Sequence, residues 1–353
     1  MRKNSLVKIV GSFFIGIAVL LFQANLKAQN TKISVLQLNI WQEGTKVQGG
    51  YDAIVDEISR LLPDFVLFSE VRNYNNQAFH ERIIKSLKVK GHVYYSFFSD
   101  DSGILSKHPI TDSATIYGLK HDSGSIYKLK TFIDGISFAV YTAHLDYKNY
   151  ANYLPRGYNG KTWLKMKHPV IDTLKITEMS HASGREEAVR KFIVDANREF
   201  SNGSNIILAG DFNEPSFKDW TVETKNSFDH NGVVYKWPVS LLLDEYGYID
   251  AYRELYPSVL KNPGFTYPSD NKDKAIKKLT WAPKADERDR IDFIFYKTDN
   301  KLLLKKISIL GPKSSIKKNK RVDEQTEDVF IEPLGVWPSD HKGVFAEFEL
   351  KRK

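Results

Sequence analysis

Asn205-Ile206-Ile207-Leu208-Ala209-Gly210-Asp211-Phe212-Asn213 is a run of apolar residues that stops abruptly at a glycine, a carboxylate and an amide. It reads as a buried strand, and Glu214-Pro215 directly behind it ends regular structure. Asp211 and Asn213 are two apart, so in extended chain they point to the same side. Side by side at a strand end, a carboxylate and an amide can hold and activate a water; the plainer reading is an Asx-type turn that closes the strand. Upstream, Ala188, Val189, Phe192, Ile193 and Ala196 share one helical face, and Ser183-Gly184-Arg185-Glu186 has the spacing of a capping box that opens that helix.

Working outward, the same signature recurs. Ile33 to Ile40 is β-rich and apolar on both faces, as a central strand is, and closes in Asn39-Ile40-Trp41. Residues 51–62 put Tyr51, Ile54, Val55, Ile58, Leu61 and Leu62 on one helical face, and Pro63 stops the helix. Asp64 to Glu70 is another buried strand ending in a carboxylate, and a helix is expected over 76–88. Strands are expected near 92–98, 102–106, 109–117, 126–133 and 136–144, the last ending in His144. From Leu145 to His181 periodicity fails, in an insert rich in Tyr, Lys, Pro and Gly that is too long for an ordinary connection; long ordered loops tend to be functional. A short helical stretch near 249–256 and a polar loop at 257–288 follow. Arg290 to Tyr296 is a strand with Ile291, Phe293 and Phe295 on one face, so Asp292 looks the other way. Residues 302–310 form another strand, 311–328 a charged solvated loop, and Ser339-Asp340-His341 opens the final strand.

The N-terminus is of a different kind. Arg2, Lys3 and Lys8 precede an apolar run from Ile9 to Phe22, and small residues follow up to Ala28. That is the pattern of a secretory signal peptide over 1–28, too short for a comfortable membrane span. An exported protein, periplasmic or extracellular, is expected, with no stable membrane span after cleavage. The chain has no cysteine, which excludes disulfides and thiolate metal clusters, so the exported part must be held by its core. Residues 1–28 carry four of the basic residues and no acidic one, which leaves 47 basic against 43 acidic residues, or +4. Such a mild excess is weak evidence for a polyanionic partner. With no repeat and no linker-like stretch, 29–353 reads as a single domain carrying the 145–181 insert, and a monomer is expected.

Four apolar strands thus end in groups able to bind metal, water or phosphate: Asn39, Glu70, His144 and Asp211. A fifth begins with Asp340-His341. If that last strand runs antiparallel to the others, all of these groups meet at one end of the sheets. The chemistry such a set supports is phosphoester hydrolysis. Glu70 and Asp340 are hard oxygen ligands suited to Mg²⁺, or to another hard divalent cation such as Mn²⁺ or Ca²⁺. Asp211 would deprotonate or orient the attacking water, with Asn213 fixing its place. His341 would donate to a phosphoryl oxygen as charge builds, and Asp292 is a natural partner to set its tautomer and raise its pKa.

The ordered set Leu38-Asn39-Ile40-Trp41, Ser69-Glu70-Val71, Ser102-Gly103-Ile104-Leu105-Ser106, Ala143-His144-Leu145, Gly210-Asp211-Phe212-Asn213, Arg290-Ile291-Asp292-Phe293-Ile294 and Ser339-Asp340-His341 resembles the endonuclease/exonuclease/phosphatase superfamily, in an exported form of bacterial type. The resemblance runs from about residue 31 to 350. It implies an α/β four-layer sandwich, in which two packed, mostly antiparallel β-sheets are flanked by helices, and a divalent metal, usually Mg²⁺. By motif position it implies Glu70 as metal ligand, with Asn39 and Asp340 as supporting metal-site groups. Asp211 and Asn213 match the water-activating pair, His341 with Asp292 the catalytic dyad, and His144 the second phosphate-contacting histidine. Abasic-site endonucleases of the superfamily carry an acidic residue where Trp41 stands and lack the His144 equivalent. The resemblance therefore points to the deoxyribonuclease, sphingomyelinase or inositol-phosphatase side.

Substrate is less legible. Tyr147, Tyr150, Tyr153, Tyr158 and Trp163, with Lys148, Arg156, Lys161 and Lys165, would stack on bases and hold phosphates, grip a sugar or lipid headgroup, or simply pack on the body of the fold. The basic stretch Lys313 to Arg321 would touch nucleic acid or stay solvated beside Asp323, Glu324, Glu327 and Asp328. The leading expectation is a secreted phosphodiesterase acting on nucleic acid. The alternatives are a phosphatase or phospholipid-headgroup diesterase, and an inactive polyanion-binding module.

Overall fold

Alternating apolar faces decide the layering. The computed structural model describes residues 31–118, 124–299 and 301–351; the expected export signal at 1–28 lies outside them. In chain order the elements are β1 (Thr31–Asn39), α1 (Gly50–Leu61), β2 (Phe65–Val71), α2 (Phe79–Val89), β3 (Asp101–Ser106), β4 (Asp112–Tyr117), β5 (Gly124–Ile133), β6 (Ile136–Leu145), α3 (Thr173–His181), α4 (Arg185–Ser201), β7 (Asn205–Asp211), α5 (Pro238–Glu245), β8 (Ile249–Asp250), α6 (Ala251–Leu255), β9 (Asp292–Lys297), β10 (Leu302–Leu310), β11 (Ser314–Lys317), β12 (Lys320–Asp323), β13 (Phe330–Ile331) and β14 (Gly343–Leu350).

Two six-stranded sheets result, in the orders β13-β10-β14-β1-β2-β3 and β4-β5-β6-β7-β9-β8. The pairs β1·β2, β10·β13 and β6·β7 are parallel and every other pairing within these sheets is antiparallel. One face of each sheet meets the other sheet. There Val35, Leu67, Phe138, Val140, Ile207, Ile294, Ala346 and Phe348 form the central core. The alternate residues point outward, as a period of two demands. Leu36, Leu38, Val66 and Phe68 pack against Ile54, Ile58, Ile83 and Leu87 of α1 and α2. Tyr141, Ile206, Leu208 and Phe293 pack against Ala188, Phe192 and Ile193 of α4 and Leu243 of α5. Helix, sheet, sheet, helix is the four-layer α/β sandwich that the motifs imply. Among the described residues no helix is long and apolar enough to cross a membrane.

Several local expectations are corrected. Residues 92–98 make no strand but a single bridge, Tyr95 to Ser106, and Val93 and Phe98 lie exposed. The charged 311–328 segment is not a loop throughout: β11 and β12 pair as a hairpin, whose Ser315 and Ile316 are buried against Pro268 and Ser269. The insert ends in α3, whose N-cap Asp172 accepts the Leu174 N–H at 2.9 Å. The capping box does not form. Gly184 is the N-cap of α4 and its N–H goes to Asp146 Oδ2 at 2.9 Å, while Glu186 pairs with His181.

Gly210 shows how tightly the sheet is closed just before Asp211. A Cβ there would stand 1.8 Å from the carbonyl oxygen of Ala143 on β6. Gly210→Ala is expected to lose about 1–3 kcal/mol of stability, the usual cost of overpacking, measured by urea unfolding; wild-type stability would contradict the packing described.

Candidate active site

The last strand does run antiparallel to β1, so the start of β14 comes back to the end of β1. In the second sheet the register sets His144, Asp211 and Asp292 in one row across β6, β7 and β9. Asn39 closes β1 in the facing sheet, beside Ser69 on β2. Glu70 is turned out of the β2 ladder by a bulge: the register shifts between Ser69 and Val71, and Glu70 has φ 68°. A bulge re-aims a side chain, and here it sends the carboxylate into the cavity. The Ser69 hydroxyl sews the sheets together, accepting the Asp211 N–H at 3.0 Å and donating to Ala143 O at 3.0 Å.

Asp211 is the centre of this end of the molecule and is 1 % exposed. Its Oδ2 accepts from Asn39 Nδ2 at 2.9 Å, and its Oδ1 accepts the Asn213 N–H at 2.9 Å. Two imidazoles face the same Oδ2, His341 Nε2 at 3.8 Å and His144 Nε2 at 3.9 Å. Each is held from behind by a carboxylate. His341 Nδ1 lies 2.9 Å from Asp292 Oδ2, and His144 Nδ1 lies 2.8 Å from Asp101 Oδ1. Gln37 Nε2 donates to the other oxygen of Asp292 at 2.8 Å. Burial works against charge on both rings, but Asp292 and Asp211 outweigh it and raise His341 to about 10. Asp101 does the same for His144, which is raised to about 9. Both rings are cations at neutral pH. Burial and then Asp292 push Asp211 up to about 6, against the pull of the two histidines. That is close to the best range for a base at neutral pH.

The site fits a divalent cation. Asp340 Oδ1 is buried without a hydrogen-bond partner. Burial, with Glu70 adding to it and His341 opposing, pushes the Asp340 carboxyl up to about 7. A bare carboxylate oxygen influenced by a second carboxylate is a donor set for a hard cation. Asp211, Asp292 and His341 also bring ligand atoms within 4.8 Å of one another. Those atoms, however, are already engaged by Asn39, Asn213, Gln37 and each other. The orphaned oxygen favours Glu70 and Asp340. Asn39 presents an N–H rather than its oxygen to Glu70, at 3.2 Å, because Oδ1 accepts the Trp41 N–H at 2.9 Å.

All eight residues singled out from the sequence gather here. Glu70, His144, Asp211, Asn213, Asp340 and His341 line one cavity of about 420 Å³, with Asn39 and Asp292 bonded behind them. Sequence reasoning missed Asp101, Gln37, Ser69 and Arg72. Arg72 joins Asp101 at 2.6 Å and Glu70 at 3.7 Å. Asp101 stands at the mouth of a strand and Gln37 interrupts an apolar run, so both carried a signal. Within the insert, Tyr147, Tyr150, Tyr153 and Trp163 line the cavity, whereas Tyr158 is buried under its wall. Arg156 is no phosphate ligand: it is buried and paired with Asp289. The basic hairpin is likewise answered by local acids, Lys317 by Asp286, Lys318 by Asp229 and Arg321 by Asp270.

The model of the Endonuclease/Exonuclease/phosphatase family matches residues 36–341. The chain belongs to that family. Uncharacterized protein F14F9.5 of Caenorhabditis elegans is 28 % identical to this family member over 325 residues, 90 % of this chain and 91 % of that one. D. rerio TDP2, solved with a single strand DNA product, superposes with a TM-score of 0.50 at 16 % identity, over 90 % of this chain and 99 % of that chain. Truncated Caenorhabditis elegans TDP2 gives 0.51 at 15 %, over 90 % and 97 %. These two likenesses are of fold. The family's chemistry is hydrolysis of phosphoester bonds.

Because His341 is raised to about 10 in the fold, against about 6.5 for a free histidine, its charged form stabilises the folded state. That contribution is complete below about pH 6.5 and is lost as pH rises through the folded value. Asp292→Asn should therefore lose more stability against wild type at about pH 6 than at about pH 11, read from paired denaturant titrations. An equal gap at both pH values would show that Asp292 does not hold the charge on His341.

Proposed function

We propose that this family member is an exported hydrolase that cleaves phosphodiester bonds with a divalent cation held by Glu70 and Asp340. The observation that carries the reading is the Asp211 carboxylate, placed between two cationic imidazoles that are each backed by an acid. Mg²⁺ is the cation that best suits the all-oxygen donors. The pattern of residues 1–28 supports export to the periplasm or the medium. Nucleic acid is the first substrate to try, since D. rerio TDP2 was captured with a single strand DNA product.

The chain's own groups divide the work. Asp211 takes a proton from the attacking water, whose oxygen forms the bond to phosphorus as the bond from phosphorus to the leaving oxygen breaks; the departing alkoxide takes its proton from solvent. Asn39 steadies the base by donating to Asp211. Asn213, clamped by its N–H to Asp211, its Nδ2 to Leu145 O at 2.8 Å and its Oδ1 to Tyr150, fixes the floor on which the water sits. His341 and His144 offer Nε2–H to the phosphoryl oxygens as negative charge builds, while Asp292 and Asp101 keep those protons on the outer nitrogens. When bound, the cation neutralises charge on the phosphate and the leaving oxygen.

Chelation should abolish hydrolysis of DNA and of a generic phosphodiester, and Mg²⁺ should restore it. Glu70→Gln should raise the Mg²⁺ concentration for half-maximal rate by about tenfold or more, and His341→Ala should lower kcat by about 10²–10⁴-fold. Full activity in chelator would refute the metal assignment, and full activity of His341→Ala the role of the dyad.

A further inference from the structure

Six tryptophans stand in the chain, and they fall into two groups. Trp220, Trp237 and Trp337 are buried in the body of the fold. Trp41, Trp163 and Trp281 all line the one cavity that holds the catalytic groups. Two of these three have left-handed backbones, Trp41 with φ 39° and Trp163 with φ 61°. A bulky residue in that region is a true outlier that survives only where its surroundings over-determine it, and such residues collect at functional sites.

The surroundings here do over-determine both. Trp41 opens a left-handed run that continues through Gln42, Glu43 and Gly44. Glu43 bolts this run down from a buried position. It pairs with Arg82 and accepts the N–H groups of Arg72 and Asn73 at 2.9 and 2.7 Å. The Trp41 N–H is held by Asn39 at 2.9 Å. Trp163 donates its N–H to Asn159 O at 2.8 Å, and the Asn159 side chain accepts from Lys161 and Thr162 at 2.9 Å each. Its ring stands edge-on to Tyr153 at 5.1 Å, tilted to Tyr150 at 5.0 Å, and 5.2 Å from Trp281 at an angle of 31°. Trp281, from a separate loop, is 55 % exposed.

The rest of the lining narrows what such a platform takes. Among the described residues that line the cavity, Ile291 is the only aliphatic side chain, so these residues offer no slot for an acyl chain. Among the described residues no lysine lines the cavity, and its arginine, Arg72, is paired with Asp101 and Glu70. Apart from the two imidazoles at the phosphate position, these residues give a long polyanion no basic track inside. A volume of about 420 Å³ matches a ligand-sized pocket, room for one phosphate and one flat ring. We infer that Trp41, Trp163 and Trp281 form a stacking subsite for the nucleobase of a nucleoside phosphoester, so that the site selects one nucleotide unit by its ring. This inference rests on the hydrolase reading above and adds to it the group that the aromatic wall recognises.

Three esters sharing one leaving group test it: thymidine 5′-(p-nitrophenyl phosphate), methyl p-nitrophenyl phosphate and p-nitrophenylphosphorylcholine. The nucleoside ester should exceed both others in kcat/KM by about tenfold or more, as one stacked base contributes. Trp163→Ala and Trp281→Ala should each collapse that ratio through KM, and Trp163→Phe should recover part of it. Trp281 is mostly exposed, so its replacement leaves the fold intact and keeps the test valid if Trp163→Ala misfolds. Equal rates for the nucleoside and methyl esters, a preference for the choline ester, or a ratio untouched in Trp281→Ala would each overturn the inference. If none of the esters is cleaved, the hydrolase reading fails on its own. Tryptophan quenching then still decides: saturable quenching by thymidine 5′-monophosphate, absent with inorganic phosphate and lost in Trp281→Ala, upholds the subsite, and its absence in wild type refutes it.

Discussion

A carboxylate buried at the end of β7 is the constraint to which the rest of this molecule answers. Asp211 sits where two sheets close on each other, and an ionised group there is costly unless it is paired and hydrogen-bonded. The compensation comes from both sheets. Asn39 and Ser69 reach it from the first, and His144 and His341 approach it from either side. The histidines are in turn buried cations that need Asp101 and Asp292, and Asp292 needs Gln37. The result is a polar seam at one end of an otherwise apolar sheet interface. A network of this kind is stable only when nearly every member is satisfied. Two oxygens among these groups lack a partner, Gln37 Oε1 and Asp340 Oδ1, and the carboxylate oxygen of Asp340 is the one whose charge suits a cation.

Much of this was readable in the chain because strand ends are where a sheet hands a side chain to solvent or to a site. The runs before Asn39, Glu70, His144 and Asp211 are apolar on both faces, and that pattern identified sandwiched strands whose polar tips gather at one end. What could not be read depends on geometry that periodicity does not encode. The bulge that turns Glu70 into the cavity leaves no mark in Ser69-Glu70-Val71. The pairing of Asp101 with His144 joins β3 of one sheet to β6 of the other, and no local pattern links them. Arg156 looked like a phosphate ligand by composition and proved structural, because a buried Asp289 claims it. The hairpin at 314–323 was hidden because its charged residues mask two buried ones, Ser315 and Ile316.

The insert shows the same interplay at larger scale. Its backbone is pinned by Arg185, whose guanidinium donates to the carbonyls of Asp146, Lys148 and Asn149 at 2.8–3.0 Å. Tyr153 ties it to Glu287 at 2.8 Å, and Asn152 to Asp289 at 2.9 Å. A segment without sequence periodicity is thus held by side-chain bonds instead of by a repeating apolar face. That is why it can carry Tyr150 to Asn213 and Trp163 to the cavity wall in one piece. The proposed catalytic groups sit on strands or within a few residues of their ends, the aromatic wall sits on loops, and the two are joined through Asn213.

The most direct measurement is hydrolysis by Asp211→Asn beside a calorimetric titration of the same variant with Mg²⁺. If Asp211 is the base and Glu70 with Asp340 the cation site, hydrolysis falls by about 10²-fold or more while Mg²⁺ binds as it does to wild type. Wild-type hydrolysis by Asp211→Asn would contradict the assignment at its centre.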